Sequence, residues 1–337
     1  MSGPTMEDVA RLAGVGVATV DRVINQRAKV RPQTAQKVLA AAEQLGFHRT
    51  GLIRHRIEQQ QAAPRLGILL QRQSTYFYRE LGLALEQAAA GRAKLLIDYL
   101  DVLTPQHVAA RLLSMARDVD AIAVVAADHP LISQAIDTLA ARGMPVYALV
   151  SDLTADGCAG YVGLDNRKVG RTAAWAISRL SRQPGKVGLI LGSHRYLCQE
   201  QCEISFRAYL REYAPQFQVL ETLPSLEDIN LAQGATLELL DRHPDLAGIY
   251  VAGGGIEGVI EALREEQRSG LVTICHDLTD ITRQALNEEL VSMVLSHPLE
   301  WMSTRLVDTM LAGLQGRNDR ASVQVVLPFA IHTVANV

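Results

Sequence analysis
The alternation that begins at Arg65 constrains this 337-residue chain more than any other feature. Short apolar runs follow one another, separated in most places by stretches with helical spacing. RLGILL, KLLIDYL, AIAVVAA, PVYALV, KVGLIL, QVLETL, GIYVAG, VTICHD and SMVLSH read as strands. A strand that returns through a helix pairs in parallel with its neighbours, and helices then cover both faces of the sheet. The stretch is long enough for two such sheets.

Ligands of open α/β sheets bind beyond the carboxyl ends of the strands. Tyr76 and Phe77 follow the first run, Asp128 and His129 follow AIAVVAA, and Arg195 follows KVGLILGSH. Gln201 and Glu203 lie on the next helix, Asp277 ends VTICHD, and His297 ends SMVLSH. Two aromatics among convergent polar groups suit a polyhydroxylated ligand. Asp165 and Asn166 follow GYVGL, where Asp165 also reads as a helix cap, and His129 before Pro130 also reads as a turn residue.

The amino-terminal segment has a different pattern. Thr5 caps a helix from Met6 to Ala13, with Asp8 as its box partner. Gly14 ends that helix and permits a tight turn. A second helix over VATVDRVIN turns Val20, Val23 and Ile24 inward and leaves Val17, Ala18, Asp21 and Arg22 outside. A third follows in RPQTAQKVLAAAEQLG, with Pro32 in its first turn and Gly46 at its end. Two short helices joined by a glycine turn, with a third behind, form a helix-turn-helix, whose second helix enters the major groove. Arg22 has the donor fork for guanine, and Val17 and Ala18 suit a thymine methyl. Thr5, Thr19, Asn25 and Thr34 are short polar groups placed to hold phosphates.

Charge supports this division. The chain is −3 overall, yet residues 1–60 hold nine Lys/Arg against five Asp/Glu, so a basic head precedes an acidic body. No apolar run approaches the ~18 residues of a membrane span. The first residues carry acids and no apolar core, which predicts no signal peptide and a cytoplasmic protein. The four cysteines lack the spacing of a zinc site. No cofactor is expected.

MEDVARLAGVGVATVDRVIN followed by VRPQTAQKVLAAAEQLGF resembles the DNA-binding head of the LacI/GalR transcription factors. YVGLDNRKVGRTAAW, GIYVAGGGIEGVIEAL and CHDLTD resemble the periplasmic-binding-protein-like effector domain of the same family. The resemblance implies a small all-α DNA-binding domain at 1–50, a linker at 51–63, and an α/β effector domain at 64–337. It implies two Rossmann-like subdomains in that domain, 64–164 with 296–325 and 165–295 with 326–337. It also implies base reading by Val17, Ala18 and Arg22, double-stranded operator DNA as partner, a sugar, polyol or sugar acid as effector, and a homodimer. The chain departs from the family in places. Asp21 replaces a small polar residue; pairing with Arg22 or Arg27 would shield it from DNA, or it would accept from cytosine N4. Arg49 and Thr50 replace Pro-Asn in the linker, and Gly51 weakens a helix there. Arg56 takes the place of the leucine that wedges the minor groove. Ile53 or Ile57 can still wedge, or Arg54 and Arg56 can enter the groove as cations; the alternative is a flexible charged tether. The family arginine after KVGLILGS is missing from its helix unless Arg195 supplies its role, and Gly253-Gly254 replaces Asn-Asp, a usual sugar contact, which points away from an ordinary hexose.

One rival comes from GGGIEG, Gly253 to Gly258, which satisfies G-x-G-x-x-G between a strand and a helix, with Asp277 downstream. It would make the chain an NAD-binding oxidoreductase or redox sensor. No catalytic Lys/His or Cys/His constellation accompanies it, and glycines also serve close backbone approach. The residues favour a DNA-binding regulator, read as a repressor, over an enzyme.

Overall fold
A computed structural model describes residues 3–25, 30–61, 63–266, 268, 270–316 and 322–337. The chain forms two compact units, Met1–Pro64 and Arg65–Val337.

The first unit is helical: α1 (Met6–Ala13), α2 (Val17–Asn25), α3 (Pro32–Leu45) and α4 (Thr50–Gln61). Thr5 and Asp8 close the expected capping box, and Gly14 ends α1 in the left-handed conformation at φ 66°. Val9 and Ala10 of α1, Val20, Val23 and Ile24 of α2, and Ala35, Val38, Ala41 and Ala42 of α3 make a buried core with Phe47. The structure corrects the linker. Residues 50–61 are a helix of this unit, and Ile53 and Ile57, four apart, are 0 % and 3 % exposed in its core. Burying two isoleucines is worth roughly 1.5–3 kcal/mol each, which outweighs the ~1 kcal/mol that Gly51 takes from helix propensity. Neither isoleucine is therefore free as a wedge in this state.

The second unit holds β1 (Arg65–Gln71), α5 (Tyr76–Ala89), β2 (Lys94–Leu100), α6 (Pro105–Met115), β3 (Ala121–Val124), α7 (Pro130–Ala141), β4 (Val146–Leu149) and β5 (Cys158–Leu164). It continues with α8 (Asn166–Leu180), β6 (Lys186–Leu191), α9 (Leu197–Tyr213), β7 (Gln218–Val219), β8 (Leu223–Pro224), α10 (Ile229–Arg242), β9 (Leu246–Val251) and α11 (Ile256–Glu266). Last come β10 (Val272–His276), α12 (Asp280–Asn287), β11 (Met293–Ser296), α13 (Leu299–Leu314), β12 (Val323–Leu327) and β13 (Ala330–His332). The first sheet has the order β12-β5-β4-β3-β1-β2, all parallel. The second runs β13-β11-β10-β9-β6-β7, with β8 also on β6 and β13 antiparallel. Their central strands are buried on both faces, which is why the sequence shows apolar runs without alternation. The chain passes between the sheets after β5, after β11 and after β12.

Each sheet reverses its winding direction once, between β1 and β3 and between β6 and β9. Such switch points open a crevice at the carboxyl edge. QVLETL does not form one strand: Gln218–Val219 pairs with Lys186–Val187, and Leu223–Pro224 with Ile190–Leu191. Between them the Arg207 guanidinium donates to the Leu220 carbonyl and the Thr222 hydroxyl, so the ladder gives way to a side chain. Among the described residues no helix is long and apolar enough to cross a membrane.

Ile53→Ala is expected to destabilise the helical unit by about 2–5 kcal/mol. Leu52→Ala, at an exposed neighbour, should stay within about 0.5 kcal/mol. Hydrogen exchange of the α1–α4 amides in the full chain measures both.

Candidate functional site
Two surfaces gather the candidate residues. On α2, Val17, Ala18 and Arg22 are exposed, Val17 at 41 %, while the opposite face is core. This is the division between a packed and an exposed face that the spacing predicts. The Asn25 amide donates to Asp21, which gives the carboxylate a local partner; Arg27 lies outside the described residues. Thr5 is exposed, but its hydroxyl donates to Asp8 at 2.7 Å as part of the cap. Thr19 and Thr34 are half-buried. Arg54 pairs with Glu43 of α3 at 2.7 Å, and Arg56 is half-buried with a buried Nη1 that has no partner among the described residues.

The second surface is a cavity of about 240 Å³ at the carboxyl edges of both sheets in the larger unit. Its wall takes Ser74, Thr75, Phe77 and Tyr78 after β1, Val150 after β4, and Cys198 and Gln199 at the start of α9. Glu227, Gly253–Gly255, Glu257, His276, Asp277, Thr279 and His297 complete its polar side. A smaller annex of about 110 Å³ shares Phe77, Asp277, Thr279 and His297 and adds Tyr76 and His332.

Asp277 and His297 form the centre of this wall. One carboxylate oxygen accepts from both the backbone N–H and the Nδ1–H of His297, at 3.0 and 2.8 Å. Burial alone would push the Asp277 carboxyl up. The imidazole and its hydrogen bonds outweigh burial and hold it below the usual carboxylate range. His297 leans on Phe77, with ring centroids 5.2 Å apart. The neighbouring His276 shares a 2.7 Å hydrogen bond with the Tyr250 hydroxyl, and burial lowers its pKa to about 4.

Glu227 anchors the other side. Its carboxylate accepts from the Gln199 amide at 2.7 Å, while the Gln199 oxygen accepts from the Gly192 and Ser193 N–H groups. Burial pushes the Glu227 carboxyl up, opposed by the Gln199 amide and the Gly254 N–H. This clamp explains the glycines. A Cβ on Gly192 or Gly254 would stand 1.7 or 1.8 Å from a Glu227 oxygen, and one on Gly258 1.9 Å from the Ile229 carbonyl. GGGIEG therefore makes room for a carboxylate and a neighbouring helix rather than for a pyrophosphate. Asp277, the acid that would have held a ribose, is spoken for by His297. The dinucleotide expectation is withdrawn on this geometry.

Backbone strain concentrates here too. Among the described residues five non-glycines have positive φ; Val150, Glu227 and Asp277 line the cavity and Leu226 adjoins it. Each such residue costs about 1–3 kcal/mol, and strain of this kind clusters at ligand sites. Val150 is the most telling, because a β-branched residue at φ 66° is a true outlier.

Of the predicted ligand residues, Phe77, Asp277 and His297 meet on the main wall, and Tyr76 lies in the annex. Asp128, Arg195, Gln201 and Glu203 are not among the lining residues. Asp128 accepts from the Thr154 N–H and hydroxyl, and its own N–H donates to the Arg195 carbonyl. Glu203 sits one turn beyond Gln199 and binds His194, Arg207 and Thr222. Sequence reasoning missed Tyr78, Cys198, Gln199, Glu227, Glu257 and His276. Burial pushes the Cys198 thiol up to about 12, away from the thiolate form that a nucleophile needs.

Comparison with known proteins follows the same division. Residues 5–50 match the lacI family of bacterial regulatory proteins, and residues 67–318 match the periplasmic binding protein domain. The transcriptional regulator GalS of Salmonella typhimurium is 23 % identical over 98 % of this chain and 96 % of its own length. CelR of Thermobifida fusca is 29 % identical over 74 % of this chain and 73 % of its own. The match to catabolite control protein A of Priestia megaterium is 36 % identical but spans only a quarter of either chain. Among solved structures, a solute binding protein of Agrobacterium vitis bound with α-D-tagatopyranose aligns with a TM-score of 0.75 at 20 % identity, over 81 % of this chain and 95 % of that one. One from Burkholderia graminis in complex with D-arabinose gives 0.76 at 18 %, over 82 % and 96 %. At these identities the structures establish the fold.

The Asp277–His297 pair has a pH signature. Its stabilising share is complete above the unfolded aspartate value of about 3.9 and is lost as pH falls through the depressed folded value. The melting temperatures of the parent and Asp277→Asn should therefore differ most near pH 7 and converge towards pH 3. Thermal melts across that range decide it, and a gap that is constant with pH contradicts the assignment.

Proposed function
Taking as premise that the chain belongs to the lacI family of bacterial regulatory proteins, we propose that it is a sequence-specific DNA-binding repressor controlled by a sugar-like effector. The observation that carries the proposal is the pairing, in one chain, of an exposed helix-turn-helix face with a cleft lined by aromatic rings, histidines and carboxylates. Val17, Ala18 and Arg22 read base edges, Arg22 as a bidentate donor to guanine. Thr5, Thr19, Asn25 and Thr34 position the phosphate backbone, and Arg54 and Arg56 add attraction next to it. Two copies on a two-fold axis would address the two halves of a pseudo-palindromic operator. The compartment that suits this role is the cytoplasm.

The effector site is the cleft around Phe77, Asp277 and His297, with Tyr76 at its annex. Phe77 offers a face for a sugar ring, and the polar wall meets hydroxyls. The binding proteins of the same fold that hold α-D-tagatopyranose and D-arabinose support this reading of the ligand. Control follows from linkage. An effector that binds the DNA-competent and DNA-incompetent states unequally shifts their populations, and operator affinity moves with them.

Arg22→Ala is expected to weaken operator binding by about 1–3 kcal/mol and to relax specificity at one position. Fluorescence anisotropy on an operator selected from random DNA measures it, and an unchanged affinity would contradict the base-reading role. For the cleft, a ligand at about 100 times its Kd adds about 2.7 kcal/mol to the stability of the unit that binds it. A thermal-shift panel of sugars, polyols and sugar acids should show one such shift, abolished in His297→Ala.

A further inference from the structure
We propose that the effector carries a protonated amine, so that the cleft prefers an amino sugar to a neutral sugar and rejects sugar acids and sugar phosphates. This rests on the reading of the cleft as the effector site and narrows it. The argument is one of charge and of hydrogen-bond direction.

Three carboxylates, Glu227, Glu257 and Asp277, line the main cavity, and none of its described lining residues is lysine or arginine. The guanidinium whose charge reaches Glu227 is that of Arg72, which lies outside the wall, with its Nε directed at the Asp101 carbonyl at 3.4 Å. His276 is neutral at pH 7, because burial lowers its pKa to about 4. An anionic ligand would enter next to like charge with no lysine or arginine on the described wall to hold it, which disfavours it.

The wall is also rich in acceptors. The His297 side chain is only 7 % exposed, and its Nδ1–H is committed to Asp277. Its Nε2, on the other side of the ring, is buried and has no partner among the described residues. In its neutral form an imidazole that donates from Nδ1 presents Nε2 as an acceptor. The Gln199 side chain is spent at both ends, on Glu227 and on the Gly192 and Ser193 N–H groups. The charged groups that line the cavity are thus the carboxylates of Glu227, Glu257 and Asp277, and a carboxylate only accepts. A hydroxyl brings one donor and an acceptor, whereas an ammonium brings three donors, no acceptor and the missing charge. Phe77 and Tyr78 add aromatic surface, which attracts cations as well as sugar rings.

Isothermal titration calorimetry of the full chain at pH 6.5 tests this. The probes are glucosamine, galactosamine and mannosamine, their N-acetyl forms, the parent hexoses and the hexose 6-phosphates. The amine form of the preferred sugar should bind at least about tenfold tighter than its N-acetyl and hexose forms, as expected when a charged hydrogen bond replaces a neutral one. The 6-phosphates should not bind measurably. Glu257→Gln should remove most of the preference for the amine while leaving affinity for the N-acetyl form within about threefold. Glu227→Gln should do the same, provided its melt shows a folded chain. A neutral hexose or a phosphate that binds as tightly as the amine overturns this inference and leaves the sugar-sensor reading in place. If no saccharide of any charge binds, the sugar-sensor reading falls, and this inference with it.

Discussion
Parallel strands cannot be joined by a tight turn; each must return through a helix, so all strands of a sheet end on the same edge. That constraint organises the larger unit. It forces helices onto both faces, turns each strand into an apolar run, and delivers every loop after a strand to one edge. The chain builds two such sheets and passes between them after β5, β11 and β12. Loops from both then converge on one cavity, so Ser74 and Thr75 of one sheet face Asp277 and His297 of the other. Residues more than two hundred apart in sequence become neighbours through topology rather than through local preference.

Within that frame, electrostatics shapes the cleft. Glu227 is held in a left-handed backbone and clamped by Gln199, and two glycines give way so that its carboxylate fits. Asp277 is strained in the same sense and is locked by His297. Both acids give up conformational ease to hold a fixed direction. Buried or half-buried carboxylates without a facing cation are unfavourable unless something else meets them. Their partners inside the protein are an amide, two backbone N–H groups and one imidazole.

The sheets, the helix-turn-helix and the exposed face of its second helix were legible in the sequence, because each is a periodic pattern. Val20, Val23 and Ile24 fall at helical spacing and are buried; Val17 and Arg22 fall off that stripe and are exposed. Asp277, His297 and Phe77 were legible because each ends or follows an apolar run. Gln199 and Glu227 were not. Gln199 sits on the predicted helix, one turn before Glu203, and helical spacing alone does not say which turn faces the crevice. Glu227 lies in a loop whose two successive left-handed residues leave no pattern. Its one trace was indirect, in the glycines of GGGIEG, which pointed to close approach without saying to what; Gly254 is the one that a Glu227 oxygen abuts. The fourth helix was hidden for a related reason: Gly51 and a run of charged and polar residues argue for a tether, and only tertiary burial of Ile53 and Ile57 overrides them.

The central claim is that one chain couples a cleft to a DNA-reading helix. The most direct test is the operator dissociation constant of the full chain, measured by anisotropy with and without the ligand identified for the cleft, at one fixed salt concentration. The account predicts a change of about five- to 150-fold in either direction, the usual range of allosteric coupling. It also predicts the same factor in ligand affinity when operator is saturating. An operator affinity that stays the same at saturating ligand would show that the two units bind independently, and would contradict the account.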